Sequence, residues 1–461
     1  MEKEANNSKS DSNSSNPNSA SLESEIASTG KKFLEKTKDK EINLLSHFDT
    51  DGITSAAIMI KTLKKMDKKF TVTILKRIEE GFIQTLPKDK INLFLDLGSG
   101  SLEEIGKSGL KDVFIVDHHE IVEKVPKNIH IINPDLHSKQ KISASGLTYL
   151  FCREINSEGK ECAKLAALGM IGDCLEREIG KLNYDILSDG EIKRRRGLLI
   201  YPSTRPLNKV LEYSSNPYIP GVTGNIKGVL ELLRETNLNP TNKGYPSLIE
   251  LSEEEMAKLV TGIMLRNPKA NNKEIIGDIF LIKFFNKLED ARELSAKINA
   301  CSRLGKSHVA LQFCLELASA KEKAEAIHVK YKQNLISSLK YVSENEEDKI
   351  EGKGYIIINA RGEINDTIIG TIMSILSNSL IYEDGTILVG MAYYSNKIKV
   401  SARNVGREGR NVREILQRVV DKTGGEVGGH EFAAGCMVSR EKEDEFLDIL
   451  QKNLEIELVK I

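Results

Sequence analysis

The sequence predicts an α/β protein with a mainly parallel N-terminal domain, a helical connector and a smaller C-terminal α/β domain. Two observations carry this prediction. Short apolar runs alternate with helix-length stretches from residue 42 to 172, the pattern of a parallel sheet covered on both faces. A second alternation of the same kind begins after residue 354, beyond a long stretch of charged amphipathic helices. The 461 residues suit roughly three domains at about 150 residues each.

The elements follow in order. Residues 1 to about 24 are rich in Ser and Asn and poor in large apolar groups, so they bury too little to offset ordering entropy and are expected to be a disordered tail. A helix is expected from Lys31 to Lys38. The spacing then predicts strand 42–46, helix 53–66, strand 70–76, short helix 79–86, strand 91–96 and helix 101–108. Strands 113–117 and 129–132 and helices 144–157 and 161–172 complete this part. Residues 180–350 differ. Lys193-Arg194-Arg195-Arg196 forms a basic knot, Ser215 to Asn225 is a Pro/Gly loop, and long charged helices fill much of 250–341. SENEEDKIEGKG (Ser343 to Gly354) has the composition of a linker. Beyond it the pattern gives strand 355–359, helix 365–379, strands 386–393 and 397–402, helix 411–420 and a final helix 440–454.

Composition excludes several classes. Lys plus Arg (66) nearly cancels Asp plus Glu (67), so bulk charge gives no nucleic-acid signal, although local patches can. Cys152, Cys162, Cys174, Cys301, Cys314 and Cys436 form no C-x-x-C pair, which argues against a zinc ribbon and fits single thiols in a reducing cytosol. No apolar run reaches the ~18 residues of a membrane span. The N-terminus lacks the apolar core of a signal peptide. A cytoplasmic protein without membrane partners is expected.

Four segments end in acidic or histidine residues. INLLSHFDTDG carries His47, Asp49 and Asp51, and INLFLDLG carries Asp96. VFIVDHHE carries Asp117, His118 and His119, and LAALGMIGD ends on Asp173. Groups just beyond the carboxyl ends of strands in an open α/β sheet share one crevice, so these distant residues can converge. His47, Asp49 and Asp51 occupy alternate positions, which share one side of an extended segment. Crowded carboxylates repel unless a cation joins them; an Asp-rich turn with an N-cap accounts for the same residues. DLGSGS admits two readings: Asp96 bridges metals, or the loop belongs to a methyltransferase with Asp117 on the cofactor ribose. The second leaves HFDTDG and the paired histidines unused. Adjacent His118 and His119 point to opposite sides of a regular strand, so one faces a metal and the other reaches substrate if the chain turns. Such carboxylates suit Mg or Mn, and imidazole suits transition metals. Asp173 closes an apolar helix, where an anion needs a partner, either a metal or a buried salt bridge. His130 and His137 are expected in loops, His137 within reach of substrate, and His308 and His328 as ordinary helix residues.

Near the C-terminus, KIKVSARNVGREGRNVRE gathers Ser401, Arg403, Arg407, Arg410 and Arg413, and TGGEVGGHEFAAG follows. Glycines allow close backbone approach to a phosphate, Arg403 can bind one bidentately, and Ser401 and His430 can donate. A solvated basic face explains the Arg run, but not Gly-Gly-His followed by small residues that are expected to open a helix.

Taken together, the chain resembles the DHH phosphoesterase superfamily, and within it the archaeal RecJ-like single-strand exonucleases, relatives of the replication scaffold Cdc45. The resemblance rests on SHFDTDGITSAA, FLDLGS, VDHHE, GMIGD, INACSRLGK (Ile298 to Lys306), VSAR and GGHEFAAG, in that order. It implies a DHH catalytic domain over 25–190, a helical connector over 191–345 and a DHH-associated nucleic-acid-binding domain over 346–461. It implies two divalent ions, Mn²⁺ ahead of Mg²⁺, on His47, Asp49, Asp51, Asp96, His118 and Asp173, with Asp96 bridging. Only Phe48 separates His47 from Asp49, a shorter spacing than in many relatives. Asp96, His118 and His119 are the implied catalytic residues, with His119 on the scissile phosphate. Asn299, Arg303, Gly305, Ser401, Arg403, Gly428, Gly429 and His430 are the implied nucleic-acid contacts, although a packed helix turn accounts equally for Asn299 and Arg303. The implied function is metal-dependent exonucleolytic hydrolysis of single-stranded nucleic acid, DNA ahead of RNA, in replication or repair. The alternatives are a non-catalytic Cdc45-like scaffold, or a DHH phosphodiesterase on short oligonucleotides or cyclic dinucleotides. Implied partners are single-stranded DNA or RNA, and the replication factor GINS with the replicative helicase, docked on part of 240–350. The absence of Trp favours backbone tracking over base stacking.

Overall fold

The computed structural model describes residues 21–137, 140–177, 179–214, 217, 219–267, 275–379, 381–406 and 409–456. The chain divides into two compact units, one of Met1–His47, Thr54–Met170 and Glu178–Gly190, the other of Phe48–Ile53, Ile171–Arg177 and Glu191–Ile461.

The first unit is built on five parallel strands: β1 (Ile42–His47), β2 (Phe70–Leu75), β3 (Ile91–Leu95), β4 (Val113–Val116) and β5 (Ile129–Ile132), in the order β2-β1-β3-β4-β5. β3 and β4 are buried along their whole length and β1 up to its last residue, because helices cover both faces. That is why they are continuous apolar runs in the sequence. β2, at the sheet edge, keeps Thr at its more exposed positions. The helices are α1 (Leu22–Lys36), α2 (Thr50–Lys65), α3 (Leu102–Lys107), α4 (Ala144–Ile155), α5 (Ala163–Gly172) and α6 (Lys181–Asp189). α1 starts earlier than expected, within the stretch assigned to the tail. Ser21 caps it, accepting from the Ser24 N–H, and Leu22, Ile26 and Phe33 are buried. Phe33 packs edge-on against Phe114 and Phe151, with ring centroids 5.1 and 5.3 Å away. The tail before Ser21 lies outside the described residues.

In the second unit, the expected helical connector also contains an antiparallel sheet. Its strands are β6 (Lys193–Leu198), β7 (Ile276–Phe284) and β8 (Lys287–Asp290). The basic knot is β6: Arg194 pairs with Asp278 on β7, and Arg195 donates to the Ile249 and Leu251 carbonyls. The connector helices are α7 (Leu207–Glu212), α8 (Ile226–Glu235), α9 (Glu253–Arg266), α10 (Ala291–Arg303), α11 (Ser307–Cys314) and the long α12 (Ala318–Glu344).

The expected linker is not a linker: α12 runs to Glu344, and β9 (Lys349–Gly352) pairs with β10 (Tyr355–Asn359). These join β11 (Ile387–Tyr394), β12 (Lys397–Asn404), β13 (Glu426–His430) and β14 (Ala433–Ser439) in a mixed sheet of order β13-β14-β12-β11-β10-β9. Alternate residues of β10 feed two cores. Tyr355 and Ile357 pack with α14 (Val412–Thr423) and α15 (Glu443–Ile456). Ile358 packs with α13 (Asp366–Ser377) and α12. GGHEFAAG opens no helix; it is the turn and inner halves of the β13–β14 hairpin. No helix among the described residues is long and apolar enough to cross a membrane.

Candidate metal centre and phosphate-binding cluster

β1, β3 and β4 are parallel neighbours, so their carboxyl ends lie side by side. His47 ends β1, Asp96 follows β3 and Asp117 follows β4. The Asp96 N–H still joins the ladder, donating to the Val116 carbonyl at 2.9 Å. Its φ of 57° is left-handed, a conformation Asp tolerates better than most residues, and it turns the chain sharply off the strand. The Asp96 carboxylate is 1 % exposed. Its Oδ2 lies 3.3 Å from His47 Nδ1, and its Oδ1 lies 3.4 Å from His118 Nε2 and 3.8 Å from His119 Nδ1.

Potential ligand atoms gather in three overlapping groups, each with its atoms within 4.8 Å of one another: Asp96, His118 and His119; His47, Asp49 and Asp96; Asp51, His118 and Asp173. Every residue expected to bind metal falls in one of them, and Asp96 and His118 fall in two. The donor set is four carboxylates and two imidazoles, besides His119. Hard oxygen with imidazole suits Mn²⁺ and accepts Mg²⁺. Carboxylates this crowded, with Asp51 and Asp96 both buried, favour a bound cation, which removes their mutual repulsion. The residues present therefore fit a divalent-metal site.

The local geometry differs from an extended HFDTDG. β1 ends at His47 and α2 starts at Thr50, so Asp51 sits in the first helical turn, where the helix dipole favours an anion. The Gly52 N–H donates to Asp49 Oδ1 at 3.0 Å. His47, Asp49 and Asp51 thus divide between two groups instead of sharing one strand face. Asp173 follows α5 immediately, and Cys174 after it has a left-handed φ of 57°. Thr50 Oγ1 donates to the Ser295 carbonyl on α10 at 3.2 Å, and a Cβ on Gly172 would stand 2.8 Å from Thr50 Cβ. Thr50 and Gly172 lie inside the HFDTDG and GMIGD motifs and Ser295 in none, and nothing in the sequence signals that the three meet.

The paired histidines also behave differently from strand residues. β4 stops at Val116, so both lie in the turn beyond it, and both approach Asp96. Asp117 points inward. Burial alone would raise its carboxyl. The hydrogen bond and charge of His119, the Ser99 N–H and the charge of His118 overcome this and hold it far below the usual carboxylate range. The same hydrogen bond, 2.7 Å from His119 Nδ1 to Asp117 Oδ1, raises the His119 pKa, against desolvation. Of the other histidines, His130 is not in a loop as expected but on β5, with its ring 4.8 Å from Phe114, and His328 is buried on α12.

In the second unit, Asn299, Arg303, Ser401 and Arg403 come together around α13. Arg303 Nε donates to Asn299 Oδ1 at 3.1 Å and its Nη1 to the Thr367 carbonyl at 2.6 Å. Arg403 Nε donates to Ser374 Oγ at 3.0 Å. A Cβ on Gly370 would lie 3.2 Å from Ser401 Oγ and 3.8 Å from Arg403 Nη2. Neither arginine pairs with a carboxylate among the described residues, and burial together with the Arg303 charge lowers the Arg403 pKa. Two such cations favour an anion. Sheet register extends the face: Ser401 and Gly428 both pair with Gly435, and Arg403 and His430 both pair with Ala433. Opposed residues share a side, so Gly428 and His430 join Ser401 and Arg403. Gly429 alternates to the other side; its φ of 113° and the 2.4 Å from its would-be Cβ to the Ala433 carbonyl are what require glycine. Arg410 instead donates to the Leu454 carbonyl, and Arg407 lies outside the described residues.

Against known families, residues 41–171 match the DHH family N-terminal domain, 200–275 the DHH-CID domain and 352–455 the DHHA1 domain. An uncharacterized protein of Methanocaldococcus jannaschii is 30 % identical over 424 residues, covering 88 % of this chain and 91 % of that protein. The chain therefore belongs to the DHH phosphoesterase family, with a C-terminal DHHA1 domain. It is RecJ-like: the single-stranded-DNA-specific exonuclease RecJ of Bacillus subtilis is 23 % identical over 422 residues, 88 % of this chain but 44 % of that protein. The fold is shared with a manganese-bound exonuclease RecJ (TM-score 0.57, 16 % identity, 95 % of each chain). It is shared equally with CDC45 from Entamoeba histolytica (TM-score 0.64, 11 % identity, 93 % of this chain and 99 % of that one).

Proposed function

We propose that this protein is a two-metal phosphodiesterase that degrades single-stranded nucleic acid, DNA ahead of RNA, as a RecJ-like exonuclease. The observation that supports it is the convergence of His47, Asp49, Asp51, Asp96, His118 and Asp173 on overlapping ligand groups. Divalent ions held there supply Lewis acidity at the phosphoryl oxygen and lower the pKa of water. Asp96 and His118, each common to two groups, would hold the ions, and Asp96 is the one of the two with two carboxylate oxygens to offer. His119, fixed through Nδ1 by Asp117, meets a phosphate oxygen with its other nitrogen. Arg303, Arg403, Ser401, Gly428 and His430 hold a neighbouring phosphate and set the position of the strand. The catalytic domain is taken as 25–190, the connector as 191–345 and the nucleic-acid-binding domain as 346–461.

The test is digestion of single-stranded DNA and RNA, labelled at either end, with Mn²⁺ against Mg²⁺. Progressive release of short products from one end is expected. Asp96→Asn should lose more than about a hundredfold, because even the outer partners of metal ligands cost tenfold to a hundredfold. Full activity in that variant refutes the ligand assignment. Cleavage confined to dinucleotides or cyclic dinucleotides moves the substrate to the small-molecule class. Inactivity under every metal favours a Cdc45-like scaffold, which has no use for clustered carboxylates.

A further inference from the structure

We propose that Asn133, which belongs to none of the motifs described, is a positioning residue that aims His119 at the substrate phosphate. The proposal rests on the reading of His119 as a phosphate contact.

Asn133 follows the last residue of β5 and is fully buried. Its Nδ2 donates in two directions: to Ser99 Oγ at 3.0 Å and to the His119 carbonyl at 2.9 Å. Ser99, also fully buried, passes the restraint on, its N–H donating to Asp117 Oδ2 at 3.0 Å. Asp117 Oδ1 receives the His118 N–H at 2.8 Å, the His119 N–H at 3.3 Å and the His119 ring Nδ1 at 2.7 Å. The bonds close a circuit: Asn133 to Ser99, Ser99 to Asp117, Asp117 to the His119 ring, and the His119 carbonyl back to Asn133. It ties together the loops that follow β3, β4 and β5.

The contrast in burial indicates what the circuit is for. The His119 side chain is 56 % exposed, and an exposed imidazole ordinarily samples several rotamers. Here both its main chain and its ring are anchored in an interior polar network, where satisfied hydrogen bonds are strong and directional. Anchoring Nδ1 leaves Nε2 as the nitrogen available to a ligand. The Asn133 carbonyl oxygen serves a separate and purely local purpose. Oδ1 accepts the Asp135 N–H at 2.8 Å and caps the turn Pro134–Leu136. The capping and the positioning can be separated chemically. Asn133→Asp keeps the capping oxygen, removes both donors and sets a carboxylate against the His119 carbonyl. Ser99→Ala removes one link and leaves the Ser99 N–H in place.

The experiment is a double-mutant cycle with His119→Ala, read on a single-stranded oligonucleotide, with Mn²⁺ affinity measured by calorimetry. Asn133→Asp should lower kcat on the order of tenfold to a hundredfold, the usual effect of losing an orienting partner, with Ser99→Ala smaller in the same direction. Mn²⁺ affinity should be unchanged. In the His119→Ala background Asn133→Asp should cost nothing more, since coupled residues are non-additive. An equal loss in both backgrounds, or a parallel loss of Mn²⁺ affinity, overturns the proposal. If the wild-type protein cleaves no oligonucleotide, the functional reading has failed and the positioning claim is judged separately. ¹⁵N-histidine spectra with Mg²⁺ should then show a protected Nδ1–H on His119 that Asn133→Asp removes; an unchanged signal overturns the claim.

Discussion

Gly172→Ala tests how the ligand-bearing turns are held. A Cβ there would stand 2.8 Å from Thr50 Cβ, 3.1 Å from Thr50 Cγ2 and 3.6 Å from Ser295 Oγ. The first distance is below any ordinary carbon contact, so Thr50 has to move. It is poorly placed to do so: it is 3 % exposed, β-branched, and its hydroxyl is committed to the Ser295 carbonyl. Overpacking of this kind costs about 1–3 kcal/mol. Replacing glycine at a helix end returns at most about 1 kcal/mol of propensity. The metal-free protein should therefore lose roughly 0–3 kcal/mol. The larger effect falls on the metal. Thr50 lies between Asp49 and Asp51, and Gly172 precedes Asp173, so one displaced contact shifts three of the proposed ligands. A tenfold loss of Mn²⁺ affinity removes about 1.4 kcal/mol of metal-dependent stabilisation at saturating ion. Urea unfolding of both proteins, with and without Mn²⁺, separates the two terms. If alanine raises stability without metal and keeps the full Mn²⁺ increment, Gly172 is an ordinary open helix end and the reasoning fails.

Two further outcomes concern other parts of the chain. Arg403→Ala should weaken oligonucleotide binding alike for all sequences and flatten the log–log salt dependence by about one unit; an unchanged slope in fluorescence anisotropy removes Arg403 from the binding face. His328 is a pH-dependent element. Burial first, then Lys332 and Lys297, lower its pKa to about 4 from 6.5, Glu325 opposing and Arg205 adding a little. Between those values the unfolded chain binds a proton that the folded chain does not, so its contribution is present above about 6.5 and is lost as pH falls. From pH 7 to pH 5 the loss is roughly 2 kcal/mol. Urea midpoints across that range should fall more steeply for the wild type than for His328→Asn, and parallel slopes would contradict the assignment.

Much of the first unit was legible because its strands are buried on both faces: INLLSH, INLFL and VFIV are strands by composition alone. Two of the unexpected strands, β6 and β13, form by pairing more than by propensity, whereas β7 (IGDIFLIKF) is an apolar strand-like run inside a stretch that reads as helical. KRRRGL on β6 carries the charges usual on an edge strand, and its ladder with β7 is invisible in sequence. EVGGH on β13 contains two glycines, and what makes it a strand is β14. The side chains of the acid–histidine cluster stand out residue by residue in the sequence, but their arrangement does not. Whether Asp51 lies on a strand or in a helix depends on where β1 stops, and boundaries are weakly encoded. His118 and His119 both reach Asp96 because β4 ends one residue before Asp117. The contacts of Thr50 with Gly172, and of Asn133 with Ser99, join loops far apart in sequence and have no local signature.

The row Ser401, Gly435, Gly428 across β12, β14 and β13 places glycine at two of three successive positions. A strip of sheet stripped of side chains exposes little but peptide groups, whose dipoles are the same whatever the residue. Such a surface carries almost no vocabulary. It can register the shape and charge of a chain lying along it, but it has few groups with which to tell one monomer from the next. Indifference to sequence would then be a property of the covalent structure at these positions, and giving Gly428 a side chain, where open space surrounds the missing Cβ, is the cheapest way to teach the strip a preference.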